Sequence, residues 1–308
     1  MTPPLRIGTR GSPLALWQAR TVANMLEPLL DGRAVELVLI ETEGDRDQAS
    51  ALSAMGGFGV FTKAIQHALL EGRVDVAVHS LKDLPTIPEE RLCLAAVPPR
   101  GPTGDAFLSH KFQRFDDLPP GARVGTSSLR RRAQLRHRRP DLQLLDLRGN
   151  VDTRLRKLRE QELDGIVLAE AGLRRLGLAD QIQEILDPEW MLPAVGQGAL
   201  GLECRRDDRE TASWLELLND PASWSRIQAE RAMLATLGGG CLVPIGASSA
   251  VADGWLTLRG VVLNAEGSRR LVASHQGLAS TPLAVGQELA AMLLGEGAGE
   301  LLSRRLGN

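Results

Sequence analysis

The sequence predicts an α/β protein on three observations: short β-branched apolar runs, amphipathic stretches between them, and strand-to-helix junctions made of small polar residues. The apolar runs are near-continuous, the pattern of strands covered on both faces. Strands are expected at 35–40, 74–79, 92–97, 142–147 and 165–169, with another at 5–8. Helical periodicity lies at 13–30, 61–71, 128–139, 151–162 and 170–176. The first helix opens on Ser12 and Pro13, a capping residue followed by one that suits the first helical position. The last third has a different texture, with strands expected at 255–263 and 270–276 and a final helix at 282–294.

A length of 308 residues exceeds one ordinary core, so two or three domains are expected. Linker-like stretches rich in Pro and Gly lie at 98–102 and 187–196, and a third break at 219–221 precedes the change in texture. Hydrophobic residues at 43% and charged residues at 24% fit a soluble globular chain and exclude wholesale disorder. No apolar run approaches the roughly 20 residues of a membrane span. The N-terminal residues lack the basic-then-apolar order of an export signal. Cys93, Cys204 and Cys241 are odd in number and widely spaced; that is no disulfide framework and suits a reducing compartment. No His/Cys cluster has metal-ligand spacing, so no bound metal is expected. The expectation is a soluble, cytoplasmic protein with no membrane partner.

Of 36 basic residues only Lys63, Lys82, Lys111 and Lys157 are lysine, which leaves 32 arginines. Genomic base composition explains part of that ratio but not its clustering. Residues 123–159 hold eleven arginines and Lys157 against Asp141, Asp146 and Asp152, an excess of nine positive charges in a chain of formal net charge −2. The planar guanidinium fork binds carboxylate or phosphate bidentately, so the cluster points to an anionic ligand. Nucleic acid is the rival partner. An aromatic content of 3%, with no tyrosine, argues against it, because single-strand binders stack bases on aromatic platforms.

Three junctions carry candidate chemistry. In Gly125-Thr126-Ser127-Ser128-Leu129-Arg130-Arg131-Arg132, arginines open a helix, where their charge opposes the positive end of the dipole. An anion held at that end offsets the cost; a solvated basic face is the plainer alternative. Leu147-Arg148-Gly149-Asn150-Val151-Asp152-Thr153-Arg154 repeats the design, and so does Arg10-Gly11-Ser12. Parallel sheets bind ligands at such carboxyl ends. Asp83 follows an apolar run in His79-Ser80-Leu81-Lys82-Asp83-Leu84-Pro85. It either receives a cationic or N–H-bearing substrate or closes a surface turn with Lys82. His79 reads as a packed core imidazole. Cys241 follows three glycines, so its thiol is either an approachable nucleophile or a small buried hydrophobe. The basic run 136–139 reads as surface.

Together these residues resemble the porphobilinogen deaminase (hydroxymethylbilane synthase) family. The matching motifs run from Arg6-Ile7-Gly8-Thr9-Arg10-Gly11-Ser12 through 78–85, 124–131, 147–154, Ala171-Gly172-Leu173-Arg174-Arg175 and Pro193-Ala194-Val195-Gly196-Gln197-Gly198 to 239–246. The resemblance implies a deaminating transferase of tetrapyrrole biosynthesis. It would join four porphobilinogen molecules head to tail into hydroxymethylbilane, on a dipyrromethane primer bound to Cys241 by a thioether. It implies two α/β domains like type II periplasmic binding proteins with a crevice between them, at 1–98 with 199–216 and at 104–192. A smaller α+β domain at 221–308 would carry the cysteine.

The implied roles are Asp83 in catalysis; Cys241, Lys82, Ser80, Thr126, Ser128, Arg130 and Arg131 toward the primer; and Arg10, Ser12, Arg148, Asn150, Arg154, Arg175 and Gln197 toward substrate. Phe61 would belong to a lid, in which Phe58 stands where the family carries lysine. A monomer is implied. Two readings remain beside this one: a solute-binding clamp for an organic anion, and a nucleic-acid binder.

Overall fold

The computed structural model of the chain describes residues 3–41, 62–239 and 243–303. In chain order its strands are β1 (Leu5–Thr9), β2 (Val35–Leu39), β3 (Val76–Ser80), β4 (Leu92–Ala96), β5 (Asp105–Leu108), β6 (Arg123–Gly125), β7 (Gln143–Leu145), β8 (Gly165–Ala169), β9 (Glu184–Ile185), β10 (Leu200–Arg205), β11 (Ile245–Ala252), β12 (Trp255–Leu263) and β13 (Arg270–Leu278). They fall into two compact units, Met1–Gly101 with Gly198–Trp224, and Pro102–Gln197 with Ser225–Asn308.

The first unit holds a sheet of order β2-β1-β3-β10-β4, in which β1 is parallel to β2 and β3 while β10 runs antiparallel to β3 and β4. Alternation along β3 explains its unbroken apolar sequence. Val76 and Val78 pack on Ala19, Val22 and Leu26 of the helix Pro13–Leu26. Ala77 packs on Ile65, Ala68 and Leu69 of the helix Lys63–Leu70 on the other face. Each fully buried side chain of this kind stabilises the fold by about 1.5–3 kcal/mol.

The second unit contains a sheet of order β7-β6-β8-β5-β9, with β6 parallel to β7 and β8 and β5 antiparallel to β8 and β9. Phe107, Val124 and Val167 face Leu135 of the helix Leu129–Arg138. Ala106, Leu108, Ile166 and Leu168 face Leu158 of the helix Val151–Glu160. The same unit holds the antiparallel sheet β11-β12-β13, covered by Met233 of the helix Pro221–Thr236 and by Val285, Leu289 and Leu293 of the helix Pro282–Gly295.

The α/β class is the one the sequence predicted, and the strands at 165–169 and 255–263 coincide with β8 and β12. Five strands were not anticipated: β5, β6, β9, β10 and β11. β6 is three residues long, too short for periodicity, and β10 begins soon after the linker-like stretch 187–196. The stretch 187–196 is packed rather than free. Met191 and Leu192 are buried, and the Leu192 backbone exchanges hydrogen bonds with the Gln134 side chain at 2.9 and 3.0 Å. The break at 219–221 is a helix start: Asp220 accepts from Ser223 N at 2.8 Å, with Pro221 at the first position. Asn219 Oδ1 accepts from Val97 N at 2.9 Å and ties that start to the end of β4. No helix among the described residues is long and apolar enough to cross a membrane.

Candidate active site

In the first unit, β1 and β3 deliver their side chains at the carboxyl end of the sheet. A short 3-10 turn, Leu81–Asp83, continues directly from β3. Leu81 and Leu84 are buried, so the turn is pinned on both sides and Asp83, between them, is left exposed. Lys82 is half-buried. Arg10, Ser12, Gln18, His79, Ser80 and Asp83 all line one pocket of about 110 Å³. The pocket is ordered from behind. Buried Gln18 donates Nε2–H to Ser80 Oγ at 2.8 Å, and His79 Nε2 lies 3.0 Å from Glu203 Oε2 on β10. Gln66 Nε2 donates to both Glu203 oxygens at 3.0 and 3.1 Å. His79 is the packed core imidazole that the sequence predicted, at 3% exposure. Ser12 Oγ caps the helix Pro13–Leu26 by accepting from Ala15 N at 3.4 Å.

The second unit repeats the junctions with different charges. Arg130 and Arg131 are 4% and 5% exposed, and both grip Asp105, the first residue of β5. Arg130 Nη1 and Nη2 reach its carboxylate at 2.6 and 3.2 Å, and Arg131 Nε and Nη2 at 2.9 and 2.7 Å. Gln197 Nε2 donates to Asp105 Oδ1 at 3.0 Å and to Thr103 O at 2.7 Å. Burial opposes ionisation of Asp105, but the Arg130 and Arg131 charges and these hydrogen bonds outweigh it, holding the carboxyl well below the usual carboxylate range. Burial, helped by the neighbouring Arg130 charge, pushes the Arg131 guanidinium down, and Asp105 opposes that shift. The sequence pointed to an external anion against these arginines. Their first partner is a carboxylate of the chain itself, because two buried guanidiniums without one would be prohibitive.

The remaining residues of this unit are also partly structural. Ser128 Oγ caps the helix Leu129–Arg138 from Arg131 N at 3.4 Å, and buried Thr126 accepts from Ser128 N at 3.3 Å. Asn150 Oδ1 caps the helix Val151–Glu160 from Thr153 N at 2.9 Å. Gly149 has φ +107°, and a Cβ there would lie 2.5 Å from Thr153, so the turn between Arg148 and Asn150 requires glycine. Arg154 Nε donates to Gly149 O at 2.8 Å, and Arg148 and Arg154 are half-buried on either side of that turn. Arg175 ends the helix Glu170–Arg175, and burial lowers its pKa. The basic run 136–139 is only partly free: Arg136 donates to Ala265 O at 3.0 Å and His137 Nδ1 lies 2.8 Å from Gly267 O. Cys241 and Phe61 lie outside the described residues.

A family model described as "Porphobilinogen deaminase, dipyromethane cofactor binding domain" matches residues 5–213, and one described as "Porphobilinogen deaminase, C-terminal domain" matches 224–295. The chain belongs to the porphobilinogen deaminase family. The porphobilinogen deaminase of Syntrophotalea carbinolica is 48% identical over 299 residues, covering 97% of this chain and 95% of that protein. That of Acidithiobacillus ferrooxidans is 49% identical over 298 residues, covering 97% of each. Among solved structures, a periplasmic substrate-binding protein of an ABC transporter from Coxiella burnetii aligns with a TM-score of 0.46 at 15% identity, over 73% of this chain and 96% of that one.

The deaminase motifs therefore fall into two groups of side chains: Arg10, Ser12, Ser80 and Asp83 around one pocket, and Arg130, Arg131 and Gln197 around Asp105. Sequence reasoning missed Asp105, Gln18 and Glu203. Asp105 opens a short strand with no charge pattern around it, and Gln18 is a polar residue on the buried face of the helix Pro13–Leu26, beside Ala19, Val22 and Leu26.

Proposed function

We propose that this chain condenses four porphobilinogen molecules head to tail into hydroxymethylbilane with release of ammonia. The observation that carries the reading is Asp83, an exposed carboxylate fixed on a pinned turn beside Arg10 and Ser12. Asp83 accepts hydrogen bonds from pyrrole N–H groups and stabilises the positive charge that develops on the incoming ring as ammonia leaves. Arg10, Arg148, Arg154 and Arg175, with Ser12, Asn150 and Gln197, orient the acetate and propionate groups of the substrate.

Arg130, Arg131, Ser128, Thr126, Ser80 and Lys82 would hold a dipyrromethane linked to Cys241 by a thioether, and that group would supply the pyrrole end from which the product grows. Two buried guanidiniums against one buried carboxylate leave a net positive charge, and Arg130 Nε has no hydrogen-bond partner among the described residues. Both observations fit a further carboxylate, the group a dipyrromethane carries. The proposal extends to a cytoplasmic monomer, with domains at 1–98 plus 199–216, 104–192 and 221–308.

The test is the intact mass of protein purified from cells well supplied with porphobilinogen. An excess equal to two linked pyrrole units, absent in Cys241→Ser, is expected. An unmodified wild-type mass would overturn the covalent primer.

A further inference from the structure

β4 and β10 pair antiparallel with Cys93 directly opposite Cys204, and the two sulfurs lie 3.7 Å apart. Both are free thiols; Cys93 is half-buried and Cys204 is buried. The proposed chemistry uses neither. Facing residues of antiparallel strands have Cα atoms about 4.5–5.5 Å apart, inside the span of about 4.4–6.8 Å that a disulfide bridges. Closing the sulfurs to a bond of about 2.05 Å therefore needs side-chain rotation and no change of strand register. We propose that Cys93 and Cys204 form a redox-modifiable pair, which a peroxide converts into a reversible cross-strand disulfide.

The two thiols differ in a way that sets the order of events. The Cys204 S–H, hydrogen-bonded to the Cys93 sulfur, lowers the Cys93 pKa to about 7; burial opposes the shift and Arg206 assists it. The same interaction and burial raise the pKa of Cys204, which keeps its proton. Cys93 is thus the attacking thiolate and Cys204 the resolving thiol. The Cys93 sulfur attacks one peroxide oxygen, the O–O bond breaks, and the departing hydroxide takes a proton to leave as water. The resulting sulfenic acid is attacked by the Cys204 sulfur, the S–O bond breaks, and the hydroxide takes the Cys204 proton as a second water. Two thiols lose two electrons and one peroxide gains them.

The experiment treats the full chain with hydrogen peroxide, alkylates remaining thiols under denaturing conditions and maps the peptides. A peptide pair linking Cys93 to Cys204 is expected, with both thiols protected from alkylation and recovered by dithiothreitol. In Cys204→Ser, Cys93 should stop at a dimedone-trappable sulfenic acid. In Cys93→Ser, Cys204 should react about tenfold more slowly, following the loss of the thiolate. Peroxide that leaves both thiols alkylatable, or drives Cys93 to sulfinic acid with Cys204 still free, overturns the pair. Equal reactivity of Cys204 with and without Cys93 overturns the assigned order.

Discussion

The two α/β units share one strand pattern yet place their buried carboxylates differently. In each sheet a single strand runs against its neighbours: β10 in the first and β5 in the second. Each of these strands carries a buried acid. Glu203 sits in mid-strand opposite Ala77 and meets His79 and Gln66. Asp105 begins its strand opposite Ala169, the last residue of β8, and meets two arginines. The difference is one of position along the strand. A carboxylate in mid-sheet meets the side chains of its own layer, whereas one at the carboxyl end of the parallel strands meets the first turn of the following helix. There it allows guanidiniums to be buried where a ligand is expected.

The largest expected effect follows from that contrast. Asp105→Asn leaves Arg130 and Arg131 buried without their carboxylate and should cost about 3–5 kcal/mol in urea unfolding. The Asp105 carboxyl is held below its ordinary value, so its contribution is present above the unfolded pKa near about 4 and is lost as pH falls through the lowered folded value. The stability gap between wild type and Asp105→Asn should therefore stay level from neutral pH down to about pH 5 and shrink below about pH 4.

Asp83→Asn should leave the unfolding midpoint unchanged, because the side chain is exposed, while lowering turnover by about 10²–10³-fold. Normal turnover in that variant would remove Asp83 from the mechanism. Glu203→Gln keeps the side-chain volume, and its partners are Gln66 and His79 rather than two guanidiniums, so a smaller loss of about 1–3 kcal/mol is expected. A cost equal to that of Asp105→Asn would erase the distinction between the units. At the small end, Asn150→Ala should cost about 1 kcal/mol through its 2.9 Å cap, and Asn150→Asp should restore stability by keeping the acceptor. Ser12→Ala, with a 3.4 Å cap, should cost about 0.5 kcal/mol. A larger loss at Ser12 than at Asn150 would show that capping distance does not rank these positions.

The regular part of the fold was legible because both-face burial writes itself as unbroken apolar runs, as in Val76 to His79 and Gly165 to Ala169. Caps were legible too: Ser12, Ser128 and Asn150 stand at helix starts in the sequence and act there in the structure. The short strands β5 and β6 escaped, since three or four residues carry no period. In the candidate site, the identity and order of Arg130, Arg131, Arg148 and Asp83 could be read directly, as could the presence of an excess positive charge.

What the sequence by itself determined is the set of local devices: capped helices, strand-to-helix junctions, and arginines placed against the helix dipole. Each depends on neighbours within a few residues, so each is written in order along the chain. Only the tertiary structure decided which charges meet. Asp105 reaches Arg130 across 25 positions and Gln197 across 92, and Cys93 faces Cys204 across 111. Such pairs are fixed by strand order and register, and no local pattern encodes them, because the energy that selects them is the burial of the whole sheet.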